Sequence, residues 1–128
     1  RPIFTQRVEL EAARGTDYTL PELVDAPGLS YEVLDGEAEI LRDVFVVPTP
    51  GHTAGHQSVV VRRGDGTVII AGQSHDTATA FGRDLLAARA AHDRHADDLP
   101  SVPEWIERLQ AFDPRRAVFA HDGAVWEP

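Results

Sequence analysis

Three short polar segments of this sequence carry histidine, and each follows an apolar run that resembles a β-strand. They span residues 51–56, 72–77 and 121–123. Loops at the ends of strands are common positions for metal-binding and catalytic side chains on a scaffold of strands and helices. The pattern therefore predicts a metal or catalytic rim at one edge of such a scaffold.

The first segment lies within TPGHTAGHQS at residues 49–58 and offers His52 as a candidate metal ligand. A neutral imidazole binds a divalent ion at about 2.0–2.1 Å. Gly51 is expected to let the backbone approach the site closely. The alternative for His52 is a loop histidine that hydrogen-bonds neighbouring carbonyl groups, and the residues alone leave both interpretations open. His56 is expected to orient the turn rather than bind metal.

The other two segments offer further candidates. His121 follows an apolar run, where a structural role is the alternative to metal binding. Gln73 supplies only a weak, neutral ligand, whereas a carboxylate at that position would bind more strongly and could bridge two ions. Nucleophilic catalysis is poorly supported, because the chain has no cysteine and no Gly-x-Ser-x-Gly turn. His92 and His95 lie in a polar stretch that is expected to be exposed.

Composition restricts the remaining classes of function. The 128 residues fit one domain or part of one, and a hydrophobic fraction of 42% indicates a globular protein. A net charge of −9 argues against a nucleic-acid partner. No run approaches the ~18 apolar residues of a membrane span, so no membrane partner and a cytoplasmic location are expected. Because no methionine stands at position 1, we also expect that something precedes this segment.

Periodicity predicts strands interleaved with helices, which is an α/β (α+β) arrangement. Strands are predicted over residues 2–6, 31–34, 37–41, 43–47, 57–63, 67–71 and 117–120. Helices are predicted over residues 8–14, 81–91 and 101–112, with a turn of helix at 21–25.

Several local features of this arrangement are also predicted. Asp35-Gly36 indicates a tight hairpin between the second and third strands. The strand over residues 67–71 is expected to be buried on both faces. Phe81, Leu85, Leu86 and Ala90 are expected to share one face of a helix, and the last helix is expected to begin at a Ser101 cap.

Residues 49–58, followed by a hairpin and by TVIIAG at residues 67–72, resemble the metallo-β-lactamase superfamily. IFTQRVELE at residues 3–11 and FAHD at residues 119–122 make the chain most similar to the N-acyl homoserine lactonase-like branch. The resemblance implies an αβ/βα sandwich that holds one or two metal ions, usually zinc. It covers nearly the whole chain but only the C-terminal half of that fold, so residues 1–128 are expected to form part of a single domain.

The resemblance also implies roles for individual residues. It places His52 in the first metal site and His121 in the second, and it puts Gln73 where the family commonly has an aspartate that bridges both ions. The His-x-His-x-Asp-His signature, which supplies most ligands, is absent and would lie before Arg1. Without the bridging charge, a second ion is expected to bind weakly. His75-Asp76 stands where lactonases often have a tyrosine.

The function implied by the resemblance is metal-dependent hydrolysis of a small-molecule lactone or ester. Asp76, or His75, is a candidate to assist the leaving group. The main alternative is a non-catalytic or degenerate module, with this chain an inactive fragment, and an iron-containing redox member is less favoured because Gln73 removes an anionic ligand. Half of a sandwich would expose an apolar sheet face, which predicts a homodimer or aggregation.

Overall fold

A computed structural model describes residues 1–15, 20–94 and 101–128 of the chain. The strands are β1 (Ile3–Gln6), β2 (Tyr31–Leu34), β3 (Ala38–Leu41), β4 (Val44–Pro48), β5 (Gln57–Val61), β6 (Thr67–Gly72) and β7 (Pro114–Phe119). The helices are α1 (Arg7–Ala13), α2 (Pro21–Val24), α3 (Ala78–Arg94) and α4 (Trp105–Gln110). The predicted mixture of strands and helices is confirmed. His95 and the side chain of His92 lie outside the described residues.

Five strands form one mixed sheet in the order β3-β4-β5-β6-β7. Neighbours are antiparallel from β3 to β6, whereas β6 and β7 are parallel. A parallel pair needs a long crossover, and here the crossover contains α3 and α4. As a consequence, β4, β6 and β7 run in the same direction and all end at one edge of the sheet.

The hydrophobic core lies between one face of this sheet and helices α3 and α4. Its buried members are Val47, Val60, Ile69, Ala71 and Ala117 from the sheet, Phe81, Leu85 and Ala88 from α3, Ile106 and Leu109 from α4, and Phe112. The alternation of side chains along each strand brings every second residue into this core. Within the described residues, no helix is long and apolar enough to cross a membrane.

The opposite face of the sheet is aliphatic and less well covered. Val46, Val59, Ile70 and Val118 lie side by side across four strands. Val46 is buried, but Ile70 is 47% exposed. The prediction that β6 is buried on both faces was therefore wrong for Ile70, because α3 and α4 pack on the other side of the sheet.

The predicted hairpin at Asp35-Gly36 was also wrong. Strand β2 pairs in parallel with β1, and β3 instead pairs with β4. The Gln6 side chain explains the difference, because its amide donates to the Gly36 carbonyl at 3.0 Å and accepts from the Gly36 N–H at 2.9 Å. Arg7 also forms a bidentate ion pair with Asp35 at 2.7 Å. These contacts hold the turn against β1.

Two details of the predicted helices need correction. Helix α4 begins at Trp105, with Glu104 rather than Ser101 at its N-cap, since Val102 packs on the core from a non-helical segment. Among the described side chains of α3, the buried ones lie at positions 78, 81, 85 and 88. Leu86 lies outside this buried face and is 65% exposed.

Leu85 and Leu86 provide a matched test of how α3 is oriented. Leu85→Ala empties a buried position and should lower the free energy of unfolding by about 2–5 kcal/mol. Leu86→Ala removes an exposed side chain and should change it by about 0.5 kcal/mol or less. Urea unfolding of the intact protein measures both, and equal losses would contradict this orientation of the helix.

Candidate metal centre

The loop between β4 and β5 is a closed turn that presents His52 to solvent. Backbone N–H groups of Thr49 and Gly51 donate to the carbonyls of His56 and Thr53, at 2.9 and 3.1 Å. His52 is exposed, and its role as a metal ligand stays a prediction. Among the described residues, no atom lies within 4 Å of a Cβ built at Gly51, and the close approach of this backbone to a metal stays a prediction.

The ring of His56 connects this loop to the loop after β6. Its Nδ1 donates to the Thr49 carbonyl at 3.0 Å, and its Nε2 accepts from the backbone N–H of Gln73 at 3.0 Å. These partners assign the neutral tautomer with the proton on Nδ1. Burial lowers the pKa of His56, which favours the same neutral form. Both ring nitrogens are occupied, so His56 serves to hold the two loops together.

Gly72 permits this contact between the loops. Its φ of 59° lies in the left-handed region, and a Cβ at Gly72 would stand 2.9 Å from Nε2 of His56. Any other residue would therefore carry both backbone strain and a steric clash with the ring. The Gly72 carbonyl also accepts from the N–H of Ala120 at 2.9 Å, which brings the loop that contains His121 alongside.

The structure brings the predicted ligands to the same edge of the sheet. His52 and Gln73 line one cavity of about 270 Å³. The side-chain nitrogen of Gln73 lies 2.8 Å from Nε2 of His121, so the amide donates and the ring accepts. His121 therefore lies beside this cavity, in hydrogen-bond contact with Gln73.

These donors fit a metal ion only in part. The exposed imidazole of His52 is a suitable ligand. In contrast, His121 and Gln73 satisfy each other with a hydrogen bond. Across residues 1–15, 20–94 and 101–128, no three His, Cys, Asp or Glu side chains form a group that could hold an ion. The described chain therefore carries an incomplete donor set.

His75 and Asp76 occupy very different environments. The His75 side chain is only 6% exposed; its Nε2 donates to Asp84 at 3.3 Å, and its ring stands edge-on to Phe81 and Trp105. Burial lowers the pKa of His75 even though Asp84 raises it. His75 therefore fastens its loop to α3. Asp76 is exposed, and its predicted catalytic role stays a prediction.

Two contacts at this edge were missed from the sequence. The Trp105 indole N–H donates to the Pro50 carbonyl at 3.0 Å, which ties the His52 loop to α4. The Asp122 carboxylate accepts from the N–H groups of Ala78 and Ala124 at 2.8 and 2.9 Å, which lowers the pKa of Asp122 and caps the start of α3. The contacts of Trp105 with Pro50 and of Asp122 with Ala78 join residues more than forty positions apart, and no local pattern signals them.

Comparison with known proteins identifies the family. Residues 2–121 match the metallo-beta-lactamase superfamily. The chain belongs to this superfamily. Over 60 residues it is 42% identical to an N-acyl homoserine lactonase of Bacillus sp and 40% identical to one of Bacillus cereus. Each alignment covers 47% of this chain and 24% of the relative.

Solved structures of lactonases resemble nearly the whole chain. An N-acyl homoserine lactone hydrolase with the product N-hexanoyl-L-homoserine bound at its catalytic metal centre superposes with a TM-score of 0.65 and 26% identity. An AiiA variant of B. thuringiensis with N-decanoyl-L-homoserine at the active site gives the same values. Both comparisons cover 95% of this chain and 47% of the other, so the chain spans about half the length of these superfamily members.

His56 and His52 allow a matched test of the two histidine roles. His56→Ala leaves the Thr49 carbonyl and the Gln73 N–H without their hydrogen-bond partner. We expect it to lower the free energy of unfolding by about 1–3 kcal/mol. His52→Ala removes an exposed side chain and should cost about 0.5 kcal/mol or less. Chemical unfolding of the intact, metal-free protein makes the comparison. A larger loss for His52→Ala than for His56→Ala would reverse the assigned roles.

Proposed function

We propose that this chain forms part of a metal-dependent hydrolase that opens a lactone or cleaves an ester, as its lactonase relatives suggest. The observation that carries the proposal is the exposed ring of His52 on a braced strand-end loop, in the same cavity as Gln73. Superfamily membership and 42% identity to a Bacillus lactonase over 60 residues support it. A small molecule is accordingly the proposed partner.

In this proposal His52 holds a metal ion, with zinc the expected metal, and further ligands are needed beyond the described residues. Bound zinc would lower the pKa of a water molecule to about 7 and provide hydroxide at neutral pH. Gln73 and His121 are proposed for a second, weaker position. They can serve there only after their mutual hydrogen bond opens. Asp76, which is exposed near this edge, is proposed to assist the leaving group: as a carboxylate it would accept the proton of the attacking hydroxide and then pass it to the departing oxygen.

A non-catalytic or degenerate module is the second candidate. The hydrogen bond between Gln73 and His121 favours it, because two residues at the position of a family metal site already satisfy each other at 2.8 Å. A neutral amide also binds a divalent cation less strongly than a carboxylate does. On this interpretation the chain keeps the fold and the His52 loop but does not turn over a substrate.

Self-association and location are further proposals. The aliphatic row of Val59, Ile70 and Val118 is an apolar surface of the kind that packs against another layer, and Ile70 is 47% exposed. We propose that the chain as printed covers this face by forming a homodimer. Light scattering that finds only monomers would exclude the dimer. A cytoplasmic location is proposed as well, and fractionation of the source cells tests it.

Metal content and lactone opening of the intact protein test the proposed function. We expect about one zinc per chain together with ring opening of an N-acyl homoserine lactone. His52→Ala should lower both, because it removes the exposed ligand. Protein that binds no metal and opens no lactone would overturn the hydrolase and support the non-catalytic module. Bound iron would instead indicate a redox member of the superfamily. Unchanged turnover in Asp76→Ala would remove Asp76 from the mechanism.

Gln73→Asp extends the measurement of metal content to the proposed second metal position. It places a carboxylate at the second position and removes the amide donor to His121, so metal content should rise toward two ions per chain. Gln73→Asn is the matched control, since it shortens the side chain equally without adding charge. Equal metal content in the two variants would contradict the proposed second position.

A further inference from the structure

We propose that Glu9 is a positioning residue for the metal-binding loop: its carboxylate fixes the backbone at Gly55 and thereby the placement of His52. The expected effect of Glu9 on zinc affinity rests on the proposed function. Its effect on the backbone of the loop does not. Glu9, His52 and Gly55 all line the cavity of about 270 Å³. Glu9 stands 46 positions before Gly55 in the chain, so the contact is a tertiary one.

Packing of helix α1 against the protein holds Glu9 in a fixed position. Its inner side chains, Leu10 and Ala13, are buried. The preceding strand β1 is joined to the start of β5 by side-chain amides: Gln6 donates to the Gln57 side chain at 3.1 Å, and Gln57 donates to the Phe4 carbonyl at 3.0 Å. Because both ends of this connection lie in sheets, Glu9 in the first turn of α1 keeps a defined position relative to the loop.

The contact between Glu9 and the loop is unusually close. Oε2 of Glu9 accepts from the backbone N–H of Gly55 at 3.1 Å. A Cβ at Gly55 would stand 2.3 Å from Cβ of Glu9 and 2.6 Å from its backbone nitrogen. Only glycine allows the loop to reach α1 at this point, so Gly55 provides the close approach within the loop. A hydrogen bond to a carboxylate is also stronger than one between neutral groups.

His52 lies between this contact and a second one on the other side of the loop. Upstream, the Pro50 carbonyl accepts from the Trp105 indole at 3.0 Å. Downstream, Gly55 is held by Glu9. The segment from Pro50 to Gly55 is thus fixed to α4 at one end and to α1 at the other. Since His52 sits on this segment, freeing either end should let its ring move away from a ligand geometry.

The test compares three variants in the intact protein. Glu9→Ala removes the acceptor and should lower zinc affinity about 10- to 100-fold, the range typical of groups that orient a metal ligand. Glu9→Gln keeps an acceptor oxygen at the same reach and should stay within about threefold of the parent protein. Glu11→Ala, two residues further on the same helix and exposed, should leave zinc affinity unchanged.

Hydrogen exchange of the metal-free protein provides a readout that does not depend on the proposed function. We expect the amides of Gly51 and Gly55 to exchange faster in Glu9→Ala and at the parent rate in Glu9→Gln. This measurement decides the role of Glu9 even if the protein binds no zinc, a result that would count against the proposed function alone. Unchanged amide exchange in Glu9→Ala, or equally faster exchange in Glu9→Ala and Glu9→Gln, would overturn the proposal.

Discussion

The ring of His56 joins two strand-end loops that a β-hairpin separates in sequence. One ring nitrogen donates to Thr49 before β5, and the other accepts from Gln73 after β6. Removing this ring would leave a carbonyl and an N–H without partners in a half-buried place, which is costly. The rest of the site depends on this link, because it sets the distance between the loop that carries His52 and the loop that carries Gln73.

The sheet explains why one imidazole can make this connection. Strands β4, β6 and β7 run in the same direction, so the loops that follow them meet at one edge. Helices α3 and α4 reach this edge as well: the N–H of Ala78 at the start of α3 donates to Asp122, and Trp105 at the start of α4 donates to the Pro50 carbonyl. The polar loops are therefore braced by hydrogen bonds on several sides, while the exposed His52 ring is left available to bind a ligand.

Much of this arrangement could be predicted from the sequence. Short apolar runs bounded by turn residues predicted the strands, and the histidine segments after them indicated a common edge, as observed for His52, Gln73 and His121. What could not be predicted are contacts between distant residues. Gln6 holds Gly36 and so redirects β2 toward β1, and Glu9 meets Gly55. Such contacts depend on the assembled fold, and no local pattern encodes them.

Two histidines of one loop have different proposed tasks, His52 to bind metal and His56 to hold the loops together. A nitrogen-15 spectrum of the histidine rings, recorded on the intact protein before and after addition of zinc, tests this claim directly. We expect the ring nitrogens of His52 to shift with zinc, while those of His56 keep the pattern of a protonated Nδ1 and an accepting Nε2. A zinc-dependent shift of the His56 ring nitrogens, with those of His52 unmoved, would contradict the account.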